Sequence, residues 1–234
     1  MRNEDVVLAA KRNAAVQAAA LVTSGMRVGL GTGSTTAFAL EELGRRIREE
    51  GLSIVGTPTS SSAELLARKF GIPTAPLEVL LSLDIAVDGA DEVDPNLNLI
   101  KGRGAAHTRE KIVARQADRF VVLVDDSKMV ERLGTLMPVP VEVVPMAAAV
   151  VEKEISRLGG TPELRMGLRK DGPVVTDQGF WVIDARFGAI DDVEALNLAL
   201  LGIPGVLDHG IFLGMATDVL VGSADGAVRR MSRY

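Results

Sequence analysis

The chain has 234 residues, 47% of them hydrophobic and 24% charged, which is enough apolar material for one large domain or a main domain with a smaller companion, and excludes a disordered chain. A formal net charge of −5 argues against the basic footprint of non-specific nucleic-acid binding, so an anionic ligand would need a local cluster of cations and backbone N–H groups. With no cysteine there is no disulfide, thiolate metal site or cysteine nucleophile. No apolar run approaches a membrane span, and the opening MRNEDVVLAAKRNAA carries acids where a signal peptide would be basic, so a soluble cytoplasmic chain is expected.

In chain order, residues 5–24 read as a helix ended by Gly25, and MRVGLG as a short buried strand running into the loop TGST. Helical spacing resumes through Leu40, Leu43 and Ile47 and stops at Gly51. SIVGTP is a second strand, and SSAELLARKFG a second such crossover helix with Ser61 or Ser62 as its N-cap. LDIAVDGA, GAAHTREKIVARQA and RFVVLVDD follow as strand, helix and strand. This alternation predicts a parallel sheet with helices on both faces, in which ligands sit beyond the carboxyl ends of the strands. Those ends read GTGST, TPTSS, DGAD and DDSK, so the chemically loaded segments fall on one edge.

After about residue 130 the rhythm changes. PVPVEVV reads as a strand, MAAAVVEKEISRLGG as a helix, ELRMG, VVT and FWVIDA as short strands, and DDVEALNLALLG as a helix. That order predicts a small α+β (ferredoxin-like) unit. The apolar GIFLGMATDVLVG then returns to the first domain. The expected fold class is therefore α/β: a Rossmann-like domain over 1–130 plus 205–234, and a smaller α+β domain over 131–204.

Four segments carry chemistry. GLGTGSTT, residues 29–36, joins a strand to a helix, where glycines admit a ligand and the helix N-terminus offers N–H groups to a phosphate. It is neither a dinucleotide fingerprint, since Ser34 stands at the third glycine position, nor a P-loop, and alone it is equally a tight turn. The hydroxyls of Thr32, Ser34 and Thr35 favour a small phosphate. TSSSAE, residues 59–64, is a second hydroxyl cluster that reads as helix capping or as a ligand contact. DGADEVD places Asp88, Asp91, Glu92 and Asp94 together but lacks the calcium-loop pattern, and His107 and His209 have no histidine at ligand spacing, so no metal is expected. Lys101, followed by Gly102 and Gly104, suits an oxyanion or phosphate. Taken singly, Glu110 in the next helix reads as a solvated surface acid rather than a base, and Lys11 as a solvated lysine rather than a ligand. Lys128 follows the fourth strand toward the same edge.

In this order GLGTGST, TSSSAE, DGADEVD, KGRGAAHTREKIVA and VDDSK closely resemble the type A ribose-5-phosphate isomerases, and PVPVEVVP and ALNLALLGIPGVLDHGIF extend the likeness along essentially the whole chain. The resemblance implies interconversion of ribose 5-phosphate and ribulose 5-phosphate in the pentose phosphate pathway, with no metal or other cofactor, a Rossmann-like domain with a smaller α+β domain, and a homodimer or homotetramer. At matched positions it implies Glu110 as catalytic base, with Asp88, Asp91 and Lys101 as further catalytic groups. It implies substrate contacts at Thr32, Gly33, Ser34 and Thr35, at Asp88, Gly89, Ala90 and Asp91, at Lys101, Gly102, Arg103 and Gly104, and at Lys128 and Lys11. One departure stands out: the family pattern KGGGAAL is KGRGAAH here, with Arg103 strained if its position requires positive φ. Two rival readings are a sugar-phosphate-binding regulator without turnover, for which no DNA-binding segment is seen, and an acyl-CoA transferase, for which the residues are of proton-shuttle type instead.

Overall fold

A computed structural model describes residues 3–233. The chain runs α1 (Asn3–Ala20), β1 (Arg27–Leu30), α2 (Ser34–Glu50), β2 (Val55–Pro58), α3 (Ser61–Phe70), a one-turn α4 (Leu77–Leu80), β3 (Leu83–Gly89), β4 (Glu92–Val93), β5 (Leu99–Ile100), α5 (His107–Arg115) and β6 (Ala117–Asp125). It continues through β7 (Val139–Val143), α6 (Ala148–Arg157), β8 (Thr161–Leu164), β9 (Trp181–Arg186), α7 (Val193–Leu201), β10 (Val206–His209), β11 (Ile211–Phe212), β12 (Asp218–Gly222) and β13 (Val228–Ser232). The elements divide into two units, one drawn from Met1–Ala90, Arg109–Met129 and Met215–Tyr234, the other from Asp91–Thr108 and Val130–Gly214.

The first unit is built on a six-stranded sheet in the order β13-β12-β6-β3-β1-β2, parallel except for β13. Side chains alternate across a strand. Val28, Leu30, Ile85, Val87, Val121 and Leu123 therefore share one face, where they form a core with the α1 alanines Ala14, Ala15 and Ala18 and with Leu40 and Leu43 of α2. The intervening Gly29 and Ala86 face the other way, toward Val113 of α5: a Cβ on Gly29 would lie 2.7 Å from Val113 Cγ1. Glycine at 29 thus sets how closely α5 lies on β1. The antiparallel β13 covers the β12 edge and carries the exposed Arg229 and Arg230, a charge pattern that discourages edge pairing with another chain.

Beneath that edge, Asp218 is buried, with 3% of its surface exposed. Burial alone would raise its pKa, but hydrogen bonds from Ser232 Oγ (2.8 Å), Arg230 Nε (2.8 Å), Arg119 Nη2 (3.1 Å) and Thr217 Oγ1 (3.0 Å) outweigh it and hold the pKa at about 2. A carboxylate whose pKa is lower folded than unfolded stabilises the fold above its unfolded value and loses that contribution as pH falls. About 2 kcal/mol should therefore disappear between roughly pH 5 and pH 2. Urea unfolding of wild type and Asp218→Asn checks this. The variant should be less stable at pH 7 and lose less on acidification, and parallel pH profiles would reject the assignment.

The second unit contains the antiparallel sheet β10-β7-β9-β8, built from the run β7-α6-β8-β9-α7-β10 of a ferredoxin-like fold. Val141, Val143, Ile183 and Ala185 pack against Val151 and Ile155 of α6 and Leu196 and Leu200 of α7. A second, three-stranded sheet, β11-β5-β4, belongs to the same unit.

The structure corrects several boundaries. Residues 91–108 and 205–214, expected in the first domain, fall in the second unit because β4 and β5 pair with β11, and β10 pairs with β7. VVT forms no strand of its own, only a bridge at Val175. The helix expected from Gly104 begins at His107, because Gly102 (φ 108°) and Ala105 (φ 57°) hold left-handed backbone just before it. Ser60, rather than Ser61 or Ser62, caps α3, its hydroxyl accepting from Ala63 N–H at 3.0 Å.

Candidate active site

In the first unit the order β2-β1-β3 makes the carboxyl ends of β1 and β3 the point where the winding reverses, and such a switch point opens a crevice for ligands. GLGTGST leaves one of these strands and DGAD the other. Gly31 N–H donates to Val87 O (2.9 Å), and Asp88 Oδ1 accepts from the N–H groups of Thr32 (3.0 Å) and Gly89 (2.8 Å). A Cβ on Gly31 would stand 2.3 Å from Asp88 Oδ1 and 2.5 Å from Val87 O, so only glycine lets the two loops meet this closely.

Beyond the loop, Gly33 takes φ 115°, a backbone reserved for glycine, and α2 starts without any side-chain cap. An uncapped helix start presents its first N–H groups and the positive end of the dipole to an anion. Lys11 Nζ reaches Ser34 Oγ at 3.1 Å, which places a cation beside that start. Thr32 Oγ1 lies 2.8 Å from Thr59 Oγ1 and 2.6 Å from Ser60 Oγ. TSSSAE thus contains the helix cap, Ser60, which together with Thr59 also holds the hydroxyl of Thr32.

Glu110 lies in the first turn of α5 and is only 5% exposed, which rules out the solvated-acid reading. It closes, with Asp88, Gly29, Gly31, Thr59, Val113 and Phe120, a gap too small for a water molecule. Lys128 is half-buried in the 3₁₀ turn Asp126–Lys128 that ends β6, the strand beside β3 on the same sheet edge.

The remaining predicted residues lie in the second unit. Lys101 is 3% exposed; its N–H donates to Gly210 O at 2.8 Å, and its Nζ stands 5.6 Å over the Phe212 ring. Asp91 Oδ2 accepts from Arg103 N–H at 3.0 Å. Arg103 itself has ordinary backbone and an exposed side chain, so the residue that departs from the glycine pattern carries no strain. His107, the other departure, is fully buried against Gly102, where a Cβ would come within 2.7 Å of its Nδ1.

The four acids of DGADEVD divide by role. Glu92 is fully buried and accepts from the N–H groups of Gly134 (2.6 Å), Leu136 (2.5 Å) and Met137 (2.6 Å), fastening a loop rather than waiting for a ligand. Asp94 closes its own turn through Asn96 and Asn98 N–H. Asp88 and Asp91 each hold loop N–H groups through one carboxylate oxygen, Asp88 those of Thr32 and Gly89 and Asp91 that of Arg103. His209 accepts from Ile211 N–H through Nδ1 and meets Asn197 O through Nε2, a structural pairing.

Sequence reasoning missed three contributors. Glu142, fully buried on β7, accepts from Thr176 Oγ1 at 2.5 Å and from Thr108 Oγ1 in the first turn of α5. Gly210 packs so tightly that a Cβ would stand 2.0 Å from Lys101 O. Arg165 reaches the loop after Lys101. A glutamate inside an apolar strand, PVPVEVV, was the one visible signal of the first, since such a charge needs buried partners.

The family model described as Ribose 5-phosphate isomerase A (phosphoriboisomerase A) matches residues 55–226. The chain is 57% identical over 221 residues to the Ribose-5-phosphate isomerase A of Thermosynechococcus vestitus, covering 94% of each chain. Ribose 5-phosphate isomerase A from Methanocaldococcus jannaschii superposes with a TM-score of 0.91 at 48% identity, over 95% of this chain and 97% of that one. A D-ribose-5-phosphate isomerase solved in complex with phospho-erythronic acid superposes with a TM-score of 0.94 at 49% identity, over 97% and 99%. Fold, motif order and length-wide identity agree, and the chain belongs to the ribose 5-phosphate isomerase A family.

Proposed function

We propose that this protein interconverts D-ribose 5-phosphate and D-ribulose 5-phosphate. The observation that carries the reading is the placement of Glu110 next to Asp88 at the carboxyl ends of β1 and β3, where α2 starts uncapped, in a chain whose relatives bear that enzyme's name. In the open-chain aldose, the Glu110 carboxylate takes the proton from C2. The C2–H electrons form the C1=C2 bond, and the aldehyde π electrons move onto O1, giving an enediolate. Glu110 then returns the proton to C1 while the O2 hydroxyl loses its own and C2 becomes the carbonyl. Asp88 and Asp91 relay the hydroxyl protons between O2 and O1. Lys101 and the N–H groups of Gly102 and Gly104 stabilise the charge that develops on oxygen, while Arg103 N–H holds the Asp91 carboxylate. The related enzyme's phospho-erythronic acid supports this reading, because a phosphorylated sugar acid pairs a phosphate with a planar carboxylate that resembles an enediolate.

The phosphate is a remote handle whose binding orients C1 and C2. It is assigned to Thr32, Gly33, Ser34 and Thr35 with Lys11, and Lys128 supplies a further cation; Gly89 and Ala90 line the substrate between the Asp residues. Replacing Lys128 by alanine should raise KM for ribose 5-phosphate about tenfold with little change in kcat. An unchanged KM would remove Lys128 from the site.

Ketose formation from ribose 5-phosphate by the purified protein, with and without a chelator, tests the function. Turnover insensitive to chelator is expected. Binding without turnover would favour a sugar-phosphate regulator, and loss of activity on chelation a metal enzyme. Among the described residues no helix is long and apolar enough to cross a membrane. The chain is further read as a cytoplasmic homodimer or homotetramer; a monomer by light scattering, or membrane recovery on fractionation, would contradict that.

A further inference from the structure

Arg165 follows β8, and its side chain makes four hydrogen bonds within the second unit. Nε and Nη2 donate to the two oxygens of Asp184 on β9, at 2.8 and 2.5 Å. Nη1 donates to the carbonyls of Gly102 (3.0 Å) and Arg103 (3.1 Å), the residues just after Lys101. A guanidinium has five N–H donors in a rigid fork, so four of them are committed here. Its side chain is 17% exposed and that of Asp184 21%, so the pair is shielded from most of the screening that weakens surface pairs.

The loop is also tied by Lys101 N–H to Gly210 O (2.8 Å), by Ala105 N–H to Gly102 O (3.0 Å) and by Arg103 N–H to Asp91, but among these contacts only those of Arg165 engage the carbonyls of both Gly102 and Arg103. Gly102 and Ala105 both take positive φ, and 101–106 form neither helix nor strand. Without outside contacts such peptides can turn over, and a peptide flip exchanges the direction of N–H and C=O. Every described peptide is trans, so the N–H following a carbonyl points the opposite way. Two successive carbonyls turned onto Arg165 therefore send the N–H groups of Arg103 and Gly104 away from it. The first of these is the donor that meets Asp91 Oδ2 at 3.0 Å. Arg165, Arg103, Asp91 and Asp184 also line one small cavity.

We propose that Arg165, braced by Asp184, is a positioning residue for isomerisation: it fixes the peptide orientation of the loop after Lys101, and thereby the Gly104 N–H aimed at the developing oxyanion and, through Arg103 N–H, the Asp91 carboxylate that relays hydroxyl protons. This rests on the function proposed above. Positioning of this kind acts on the transition state more than on substrate binding, so kcat should fall and KM should move little.

The experiment compares wild type, Arg165→Ala, Arg165→Lys and Asp184→Asn with ribose 5-phosphate, each rate normalised to the folded fraction from thermal unfolding. Arg165→Ala should lose about 30- to 100-fold in kcat with KM within about threefold, and added guanidinium ion should restore part of the rate. Arg165→Lys should not restore it, because an ammonium is a point charge without the fork. Should Arg165→Ala fail to fold, Asp184→Asn, which leaves the guanidinium in place but unbraced, decides by a kcat loss of about threefold to tenfold. Near-native kcat per folded molecule, a change confined to KM, or full activity in Arg165→Lys would each overturn the proposal. A wild type that turns over while Arg165→Ala is unimpaired rejects this inference alone; a wild type that does not turn over rejects the proposed function itself.

Discussion

Replacing Glu110 by glutamine is expected to lower kcat for ribose 5-phosphate by about three orders of magnitude and to leave the fold intact. The amide has the size and shape of the carboxylate, so the crevice around Val113, Phe120 and Gly29 stays filled and no cavity term arises. What disappears is basicity, because an amide does not take a proton from carbon. The loss should be in kcat rather than KM, since the phosphate is assigned in the proposed function to other residues. In D₂O the wild type should also exchange deuterium into recovered substrate at C2, and the variant should not. Near-native turnover, or exchange that survives in the variant, would reject Glu110 as the base and return it to a structural role in the first turn of α5.

Gly31→Ala is expected to cost about 100-fold or more in kcat/KM and about 1–3 kcal/mol in stability. The added Cβ would stand 2.3 Å from both Cγ and Oδ1 of Asp88 and 2.5 Å from the carbonyl of Val87. One obstacle is strand backbone that cannot rotate away, and the other is a carboxylate held by two N–H donors. Relief requires Asp88 to leave Thr32 and Gly89, or β1 to part from β3 at Leu30 and Val87. Either outcome disturbs the edge where the sugar is to sit. Kinetics and a melting curve on the purified variant check this, and an unaltered melting temperature with unaltered kcat/KM would show that the edge gives way more easily than the distances imply.

Much of the parallel sheet was legible because its strands are short apolar runs that end in glycine and hydroxyl residues, and because crossover helices separate them. The small sheet of β4, β5 and β11 was not legible. Its strands are two residues long, too short to show any period, and β11 comes more than a hundred residues after β5. The same segment misled the domain division, since the acids of DGADEVDPNLNLIKG look like a continuous loop until Leu99 and Ile100 are seen paired with Phe212 and Ile211. β10 was hidden for a related reason: VLDH alternates weakly and acquires its place only by pairing with β7.

For the candidate site, the sequence by itself determined which chemistry is present: two kinds of acid, a lysine ahead of glycines, hydroxyls at a helix start, and no thiol. These follow from residue identity and from strand–loop–helix order, which are local properties. Only the tertiary structure decided which acid does what. Glu92 and Asp88 are four residues apart and both buried in a string of carboxylates, yet Glu92 binds three N–H groups of a distant loop while Asp88 binds those of Thr32 and Gly89 at the ends of β1 and β3, next to Glu110. A carboxylate's role depends on which donors surround it, and the donors of Glu92 lie more than forty residues away in the chain. Arg165 and Glu142 were silent for the same reason: each is an ordinary charged residue in sequence, and burial beside distant carbonyls or hydroxyls is what gives it work to do.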